Sequence, residues 1–440
     1  MIYYLWKSKV KLGKFQSWTV EINKGGLVMI ERHIKSVIDY AIKHFPCVIL
    51  TGPRQVGKST LLTEKYEGKG FSYVTLDNTA DRLLAQNDPK TFLSIHPYPL
   101  IIDEAQKATQ LFEEIEYIIN EKRRHGGNSA ANGMFILSGS SRKDLLEKAK
   151  ESLAGRAALL DMSPLTLSEI KNRQNQPFIS DAKIFAKRCA DFSFSQDDLL
   201  DQIVKGQMPE LYDDEGLRGS IFYSSFVDTY LDKDVRDEID LKDQSKFYNL
   251  LVLVASLTGQ ELNYDNLSKQ VGVSATTIKT WISIMVKTGI IHLLQPFYEE
   301  SWTKRVVKTP KVYFFDTGIA SYLLGIDTKE TLSKSFLKGR LFETFVVNEI
   351  RKSYENDGDK TQFYYYRDYH QNEVDIVFIK KGTMYAVECK FGESIKLADL
   401  GGFKELEDTK YLKAKACVVS SSENITALSE NVLVVPVKSI

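Results

Sequence analysis

Little in this chain of 440 residues pulls in one direction. Its 58 basic side chains meet 58 acidic ones, so there is no net charge, and any nucleic-acid surface has to be local. Cysteine is scarce: Cys47, Cys189, Cys389 and Cys417 stand far apart, with no C-x-x-C pair. That excludes a disulfide framework or a cysteine-built zinc site and points to a reducing, cytoplasmic setting. No apolar run approaches the length of a membrane span, so no membrane partner is expected. There is no internal repeat and no low-complexity tract. Ile2 to Trp6 is too short for a signal-peptide core, and it precedes rather than follows Lys7, Lys9, Lys11 and Lys14. Met29 opens a cleaner amphipathic segment, Ile30 to Phe45, so residues 1–28 read as an extension or a misassigned start. What remains is ordinary globular composition, 43% apolar and 26% charged, with length for two or three domains.

The most informative stretch runs from Pro46 to Leu62. Cys47 to Leu50 is a short apolar run of strand length. It leads into Gly52-Pro53-Arg54-Gln55-Val56-Gly57-Lys58-Ser59-Thr60, which fits the G-x-x-x-x-G-K-[ST] phosphate loop at every fixed position. Glycines let backbone N–H groups converge on phosphate oxygens, and Lys58 is placed for the β and γ phosphates. The Ser59 hydroxyl can ligate Mg²⁺, and the helix opening here turns its positive end to the anion. A nucleoside triphosphate is the expected ligand.

From 29 to about 195 helices and strands alternate, the pattern of a parallel sheet covered on both faces. Expected strands are Val48–Thr51, Ser72–Leu76, Leu100–Ile102, Phe135–Ser138 and Ala157–Leu160. Pro99-Leu-Ile-Ile-Asp103-Glu104 ends a strand in two carboxylates: Asp103 to hold Mg²⁺ and Glu104 to orient an attacking water. The strand Phe135-Ile-Leu-Ser-Gly-Ser140 ends in polar groups where the γ-phosphate would be sensed, by Ser140 or equally by Ser138 or Ser141. Arg156 could supply transition-state charge in cis or to a neighbouring subunit of a homo-oligomer, or be a plain surface arginine.

Four segments together, Thr51-Gly-Pro-Arg-Gln-Val-Gly-Lys-Ser-Thr, Ile101-Ile-Asp-Glu-Ala-Gln-Lys, Leu137-Ser-Gly-Ser-Ser and Glu151-Ser-Leu-Ala-Gly-Arg-Ala, resemble a family of bacterial and archaeal AAA-type ATPases with a C-terminal domain of unknown function. The likeness extends through Pro164-Leu-Thr-Leu-Ser-Glu169, Tyr230-Leu-Asp-Lys-Asp-Val-Arg236 and Pro310-Lys-Val-Tyr-Phe-Phe-Asp-Thr-Gly318, nearly the whole chain from Met29. It implies ATP with Mg²⁺, and the lack of an Asn-Lys-x-Asp guanine-reading motif agrees. The expected architecture is α/β: an AAA-type P-loop core (29–195), a helical lid and winged helix (196–300), and an α/β restriction-endonuclease-like unit (301–440).

In the middle unit, Asp265 to Met285 reads as two helices joined through Gly272, the second N-capped by Ser274. A hairpin is expected over Ile290–Phe297, which makes the unit similar to a winged helix. Ala275, Thr276, Lys279 and Thr280 would face DNA while Ile278, Trp281, Ile282 and Met285 pack. Lys304, Arg305, Lys308 and Lys311 add a denser basic stretch. The plainer alternative is a lid or adaptor packed on the ATPase. In the last unit, Lys381-Gly382 turns a hairpin that sets Asp375 opposite Glu388, with Lys390 on the same face. Two carboxylates and an amine suit one Mg²⁺ and an attacking water, and Glu343 on the preceding helix could add a ligand. The arrangement resembles the PD-(D/E)-x-K nuclease fold, with Val374 in place of the proline. Glu373 and Glu393 are near enough to change the ligand set. The alternative is a cross-strand ion pair on a solvated hairpin.

Overall fold

The computed structural model describes residues 30–140, 145, 149, 151–190, 193–214, 216–236, 239, 243–298, 309–392, 395–397, 400–406 and 411–440. Residues 1–29, Ser141, Glu393 and the basic residues Lys304, Arg305 and Lys308 lie outside that set.

Five apolar runs become strands β1 (Cys47–Thr51), β2 (Ser72–Thr75), β3 (Leu100–Asp103), β4 (Phe135–Gly139) and β5 (Ala157–Asp161), each within a residue or so of expectation. Among the described residues they form one parallel sheet in the order β2-β3-β4-β1-β5. Side chains alternate between its two covered faces. Val48 and Leu50 join Ile38 and Ala41 of α1 (Lys35–His44) on one side. Cys47 and Ile49 join Ile115 and Ile119 of α3 (Leu111–Gly126) on the other. Helix α2 (Lys58–Tyr66) follows β1 directly.

The second half is built on another sheet. Strand β6 (Gln260–Glu261), helices α4 (Tyr264–Val271) and α5 (Ala275–Lys287), and strands β7 (Ile291–Pro296) and β8 (Lys311–Phe314) follow in sequence. Gly272 ends α4 in the left-handed region, and the Ser274 hydroxyl accepts the Thr277 N–H to start α5. The expected hairpin over Ile290–Phe297 does not form. That run is the single strand β7, antiparallel to β8, which also takes β6 on its far side. An apolar run shows its strand character locally, whereas its partner here lies beyond an intervening segment.

Strands β9 (Phe363–Arg367), β10 (Glu373–Lys380), β11 (Thr383–Lys390), β12 (Leu412–Lys413), β13 (Ala416–Ser420), β14 (Thr426–Ser429) and β15 (Val432–Pro436) complete the order β14-β15-β13-β11-β10-β9-β7-β8-β6, with β12 on β11. Pairing of β7 with β9 carries the sheet across the expected boundary at 300/301. Helix α6 (Lys338–Glu355) packs against β10 and β11. The stretch from 171 to 200 is polar enough to read as a boundary, yet it holds a clamp: Phe178 is buried, its N–H donates to Ser353 Oγ (3.1 Å), and its carbonyl accepts from Tyr354 (2.7 Å). One hydrophobic core runs from Ile34 to Val437.

Candidate functional site

The phosphate loop leaves the C-terminal end of β1, where a parallel sheet opens its ligand crevice. Gly52 has φ +148°, and a Cβ there would stand 2.1 Å from the Met162 carbonyl oxygen, so only glycine fits. Gly57, at φ +90°, is the left-handed entry to α2. The Lys58 ammonium folds back on the loop, donating to the Gly52 and Pro53 carbonyls at 2.7 Å each. Burial draws its pKa down to about 8, against the pull of Glu104 and Asp103.

Ser59 Oγ donates to Asp103 Oδ2 at 2.6 Å, joining the two expected metal-side oxygens. Asp103 also accepts from Tyr73 (2.8 Å) and Ser138 (2.5 Å), which aims the carboxylate. Glu104 sits at φ 54° beyond the strand tip and accepts from Ser140 at 3.2 Å and from Gln106. Ser140 is thus brought to the site, and Ser138 serves Asp103 instead. Gln106 had no assigned role, although it lies inside the Ile101–Lys107 segment.

Arg156 is not brought there. It precedes β5, at the N-terminal edge of the parallel sheet, and the phosphate loop leaves the opposite edge. Its guanidinium is held by Asn120 (3.0 Å), the Ala154 carbonyl (3.0 Å) and Glu116 (3.1 Å). Other residues meet the loop from far along the chain. Arg54 Nε donates to both Asp234 oxygens, at 2.7 and 2.6 Å, and burial pushes the Asp234 carboxyl up. Arg32 donates to the Val56 and Ser163 carbonyls, each at 2.6 Å, and to Glu169. A Cβ on Gly289, in the α5–β7 turn, would meet Pro53 Cγ at 3.1 Å. Beyond Gly57, Ile30, Thr60, Leu61, Leu165 and Pro209, with Arg32 and Asp213, line a small slot of about 40 Å³.

The second cluster is in the last unit. The Lys380↔Thr383 pairing matches the expected Lys381-Gly382 turn. Ile376, Phe378, Val387 and Cys389, on the opposite face of the hairpin, join the main core. Glu343, Glu373, Asp375, Glu388 and Lys390 line one polar cavity of about 390 Å³. Asp375 Oδ2 accepts the Cys389 N–H at 2.8 Å. Glu388 faces Lys390 (2.7 Å) and the Asp375 N–H (3.3 Å).

Among the described residues, the carboxylates whose oxygens all lie within 4.8 Å of one another are Glu343, Glu373 and Asp375; Glu388 is not in that group. At their centre is Lys311, a residue grouped above with a DNA-facing basic stretch. It is 1% exposed, and its ammonium donates to Glu343 Oε1 (2.9 Å) and Asp375 Oδ1 (3.0 Å) and pairs with Glu373. It therefore offers nothing to a phosphate backbone. Glu343 also accepts from Tyr313 at 2.6 Å. Burial, then the Asp375 charge, pushes Glu343 up to about 8, and the same causes push Glu388 well above the usual carboxylate range. Against its desolvation, Lys311 and the Cys389 N–H hold Asp375 low.

On α5, Ile278, Trp281, Ile282 and Met285 are buried, and Thr276, Lys279 and Thr280 are exposed, as expected; Ala275 is half-buried.

Residues 44–171 match the family model described as an AAA domain. Residues 196–330 and 338–440 match two domains of unknown function, DUF8612 and DUF4143. Over residues 44–171 the first unit is thus similar to an AAA domain. Two uncharacterised proteins, from Mycobacterium bovis and Mycobacterium tuberculosis, are each 25% identical over 405 residues, 91% of this chain and 82% of theirs. Among solved structures, a Walker-type ATPase of Pyrococcus abyssi is 13% identical with a TM-score of 0.42, covering 67% of this chain and 96% of its own. A STAND protein with a tetratricopeptide repeat sensor from Pyrococcus horikoshii is 11% identical with a TM-score of 0.25, covering 71% and 47%. Among the described residues, no helix is long and apolar enough to cross a membrane.

Proposed function

We propose that the chain is a Mg²⁺-dependent ATP hydrolase that works as a nucleotide-controlled switch on its helix-turn-helix and C-terminal units. The observation that carries this is the joined pair Ser59 and Asp103, 2.6 Å apart beside Lys58, with Glu104 fixed next to them by Ser140 and Gln106. Hard oxygens from a hydroxyl and a carboxylate suit Mg²⁺. When bound, the ion neutralises charge on the transferring phosphoryl group. The chain supplies the rest. Lys58 leaves the Gly52 and Pro53 carbonyls for the phosphates, and the loop amides cradle them. Glu104 takes a proton from the attacking water as its oxygen bonds to the γ-phosphorus and ADP leaves.

Coupling is supported by contacts that converge on the loop. Arg54 reaches Asp234, and Pro53 abuts the turn after α5. Helix α6, 18 residues and about 27 Å long, spans from the ATPase to the carboxylate cavity. Near its C-terminal end Glu355 accepts from Ser163 (2.5 Å), and near its start stands Glu343.

DNA is the second reading, favoured by the strand-helix-helix-strand-strand order of β6 to β8 and the exposed polar face of α5. Metal-dependent cleavage by the nuclease-like unit belongs to that reading.

Phosphate release by the full chain, with and without DNA, tests the proposal. Turnover is expected to need Mg²⁺ and to vanish in Lys58→Ala. Glu104→Gln is expected to keep ATP affinity within about threefold while turnover falls about 100-fold or more. No turnover in either condition removes the hydrolytic half. Incubating single- and double-stranded DNA with metal, wild type against Asp375→Ala, tests cleavage.

A further inference from the structure

We infer that Lys311 is the resident cation of the Glu343–Glu373–Asp375 cluster, and that this cluster takes no divalent ion. The inference rests on the nuclease-like reading only for the expectation that an ion belongs there. The residues do not fit one. Among the described residues, the oxygens that come within mutual reach are those of Glu343, Glu373 and Asp375, and the point they share is filled by an ammonium at 2.9 and 3.0 Å from two of them. A magnesium ion would need oxygens at about 2.0–2.1 Å around the same point, which a fixed like charge already occupies.

Lys311 cannot readily step aside. Its strand is paired on both edges, with Glu261 of β6 and Leu294 of β7. Its side chain is 1% exposed, and the Tyr365 ring centroid is 5.5 Å from the ammonium. The remaining acid of the expected pair, Glu388, is engaged by Lys390. An internal salt cluster therefore stands where the nuclease-like fold would hold its metal.

Mn²⁺ uptake by the nucleotide-free full chain, followed by electron paramagnetic resonance and by thermal melting, tests this. Wild type and Glu373→Gln are expected to take up equal Mn²⁺. Lys311→Met is expected to take up one more ion than wild type and to gain melting temperature on adding Mn²⁺; adding Glu373→Gln to it removes both gains. Loss of an ion from wild type on Glu373→Gln overturns the inference. So does a folded Lys311→Met that takes up no more than wild type. Should Lys311→Met fail to fold, wild type against Glu373→Gln decides alone. The nuclease-like reading fails separately: wild type that holds no cluster ion and cuts no DNA sinks cleavage and supports Lys311 as the resident cation, whereas ion uptake with cutting does the reverse.

Discussion

A single proton on Lys58 sets how the nucleotide site responds to pH. Its pKa is lowered to about 8 by burial, so the free site loses its ammonium as pH rises through that value. Phosphate binding favours the charged form, and affinity therefore falls on the alkaline side. The nucleotide dissociation constant is expected to double near pH 8 and to rise about tenfold by pH 9. Titration of a fluorescent ATP analogue across pH 7 to 9.5 checks this; a flat profile would mean the ammonium is not what grips the phosphates. The phosphate-loop residues were legible because their chemistry is local: nine consecutive residues carry turn, charge and helix entry. Asp103 was legible too, since a strand ending in acids has few other uses beside such a loop. Lys311 was not. Its neighbours in sequence are basic, and its true partners lie 32 and 64 residues away. The Arg54–Asp234 contact, 180 residues apart, was hidden for the same reason.

At the scale of elements, α6 joins two chemistries through one rigid body. Hydrogen bonds along a helix resist compression, so a shift at one end is carried to the other as a translation rather than absorbed. Ser163 follows β5 directly, in the connection that packs its Met162 carbonyl against Gly52, and Glu355 takes the Ser163 hydroxyl. Glu355→Ala should therefore uncouple the two ends. Hydrogen exchange in 338–350 and 373–390 is expected to slow when wild type binds a non-hydrolysable ATP analogue. In Glu355→Ala that response should shrink by half or more while nucleotide affinity stays within about twofold. An unchanged response would assign coupling to another route, such as Arg54–Asp234. The strands of the first sheet were legible from apolar runs alone, because a parallel strand buried on both faces needs no knowledge of its partner. Strand β7 shows the converse: its existence was legible and its partners were not, since both pair with it across long connections.

Across the whole molecule, the boundaries drawn from composition do not separate independent bodies. The second sheet crosses 300/301, the 171–200 clamp docks on α6, and a buried polar junction ties three units together. There the Lys352 ammonium donates to the Leu165 carbonyl and Gln207 Oε1, at 2.7 Å each, and pairs with Glu349 at 2.8 Å. Glu349 in turn accepts from the Leu167 N–H (2.9 Å) and the Gln207 amide (2.6 Å), while the Gln207 N–H donates to Asp316 (2.6 Å). Lys352 is fully buried and Glu349 nearly so. Removing one charge of such a pair leaves the other desolvated and unpaired, at a cost of about 3–5 kcal/mol. Since the junction is shared, that cost should fall on the molecule rather than on one part of it. Wild type is expected to melt in one transition seen alike by far-UV ellipticity and by tryptophan fluorescence, to which Trp281 in the middle unit's core contributes. Lys352→Met should lower both midpoints together. If the two probes separate in wild type, or only one moves in the variant, the units fold independently and the junction is a docking contact. Coincident midpoints, with the same shift in each, would mean that the ATPase cannot rearrange without the C-terminal unit answering.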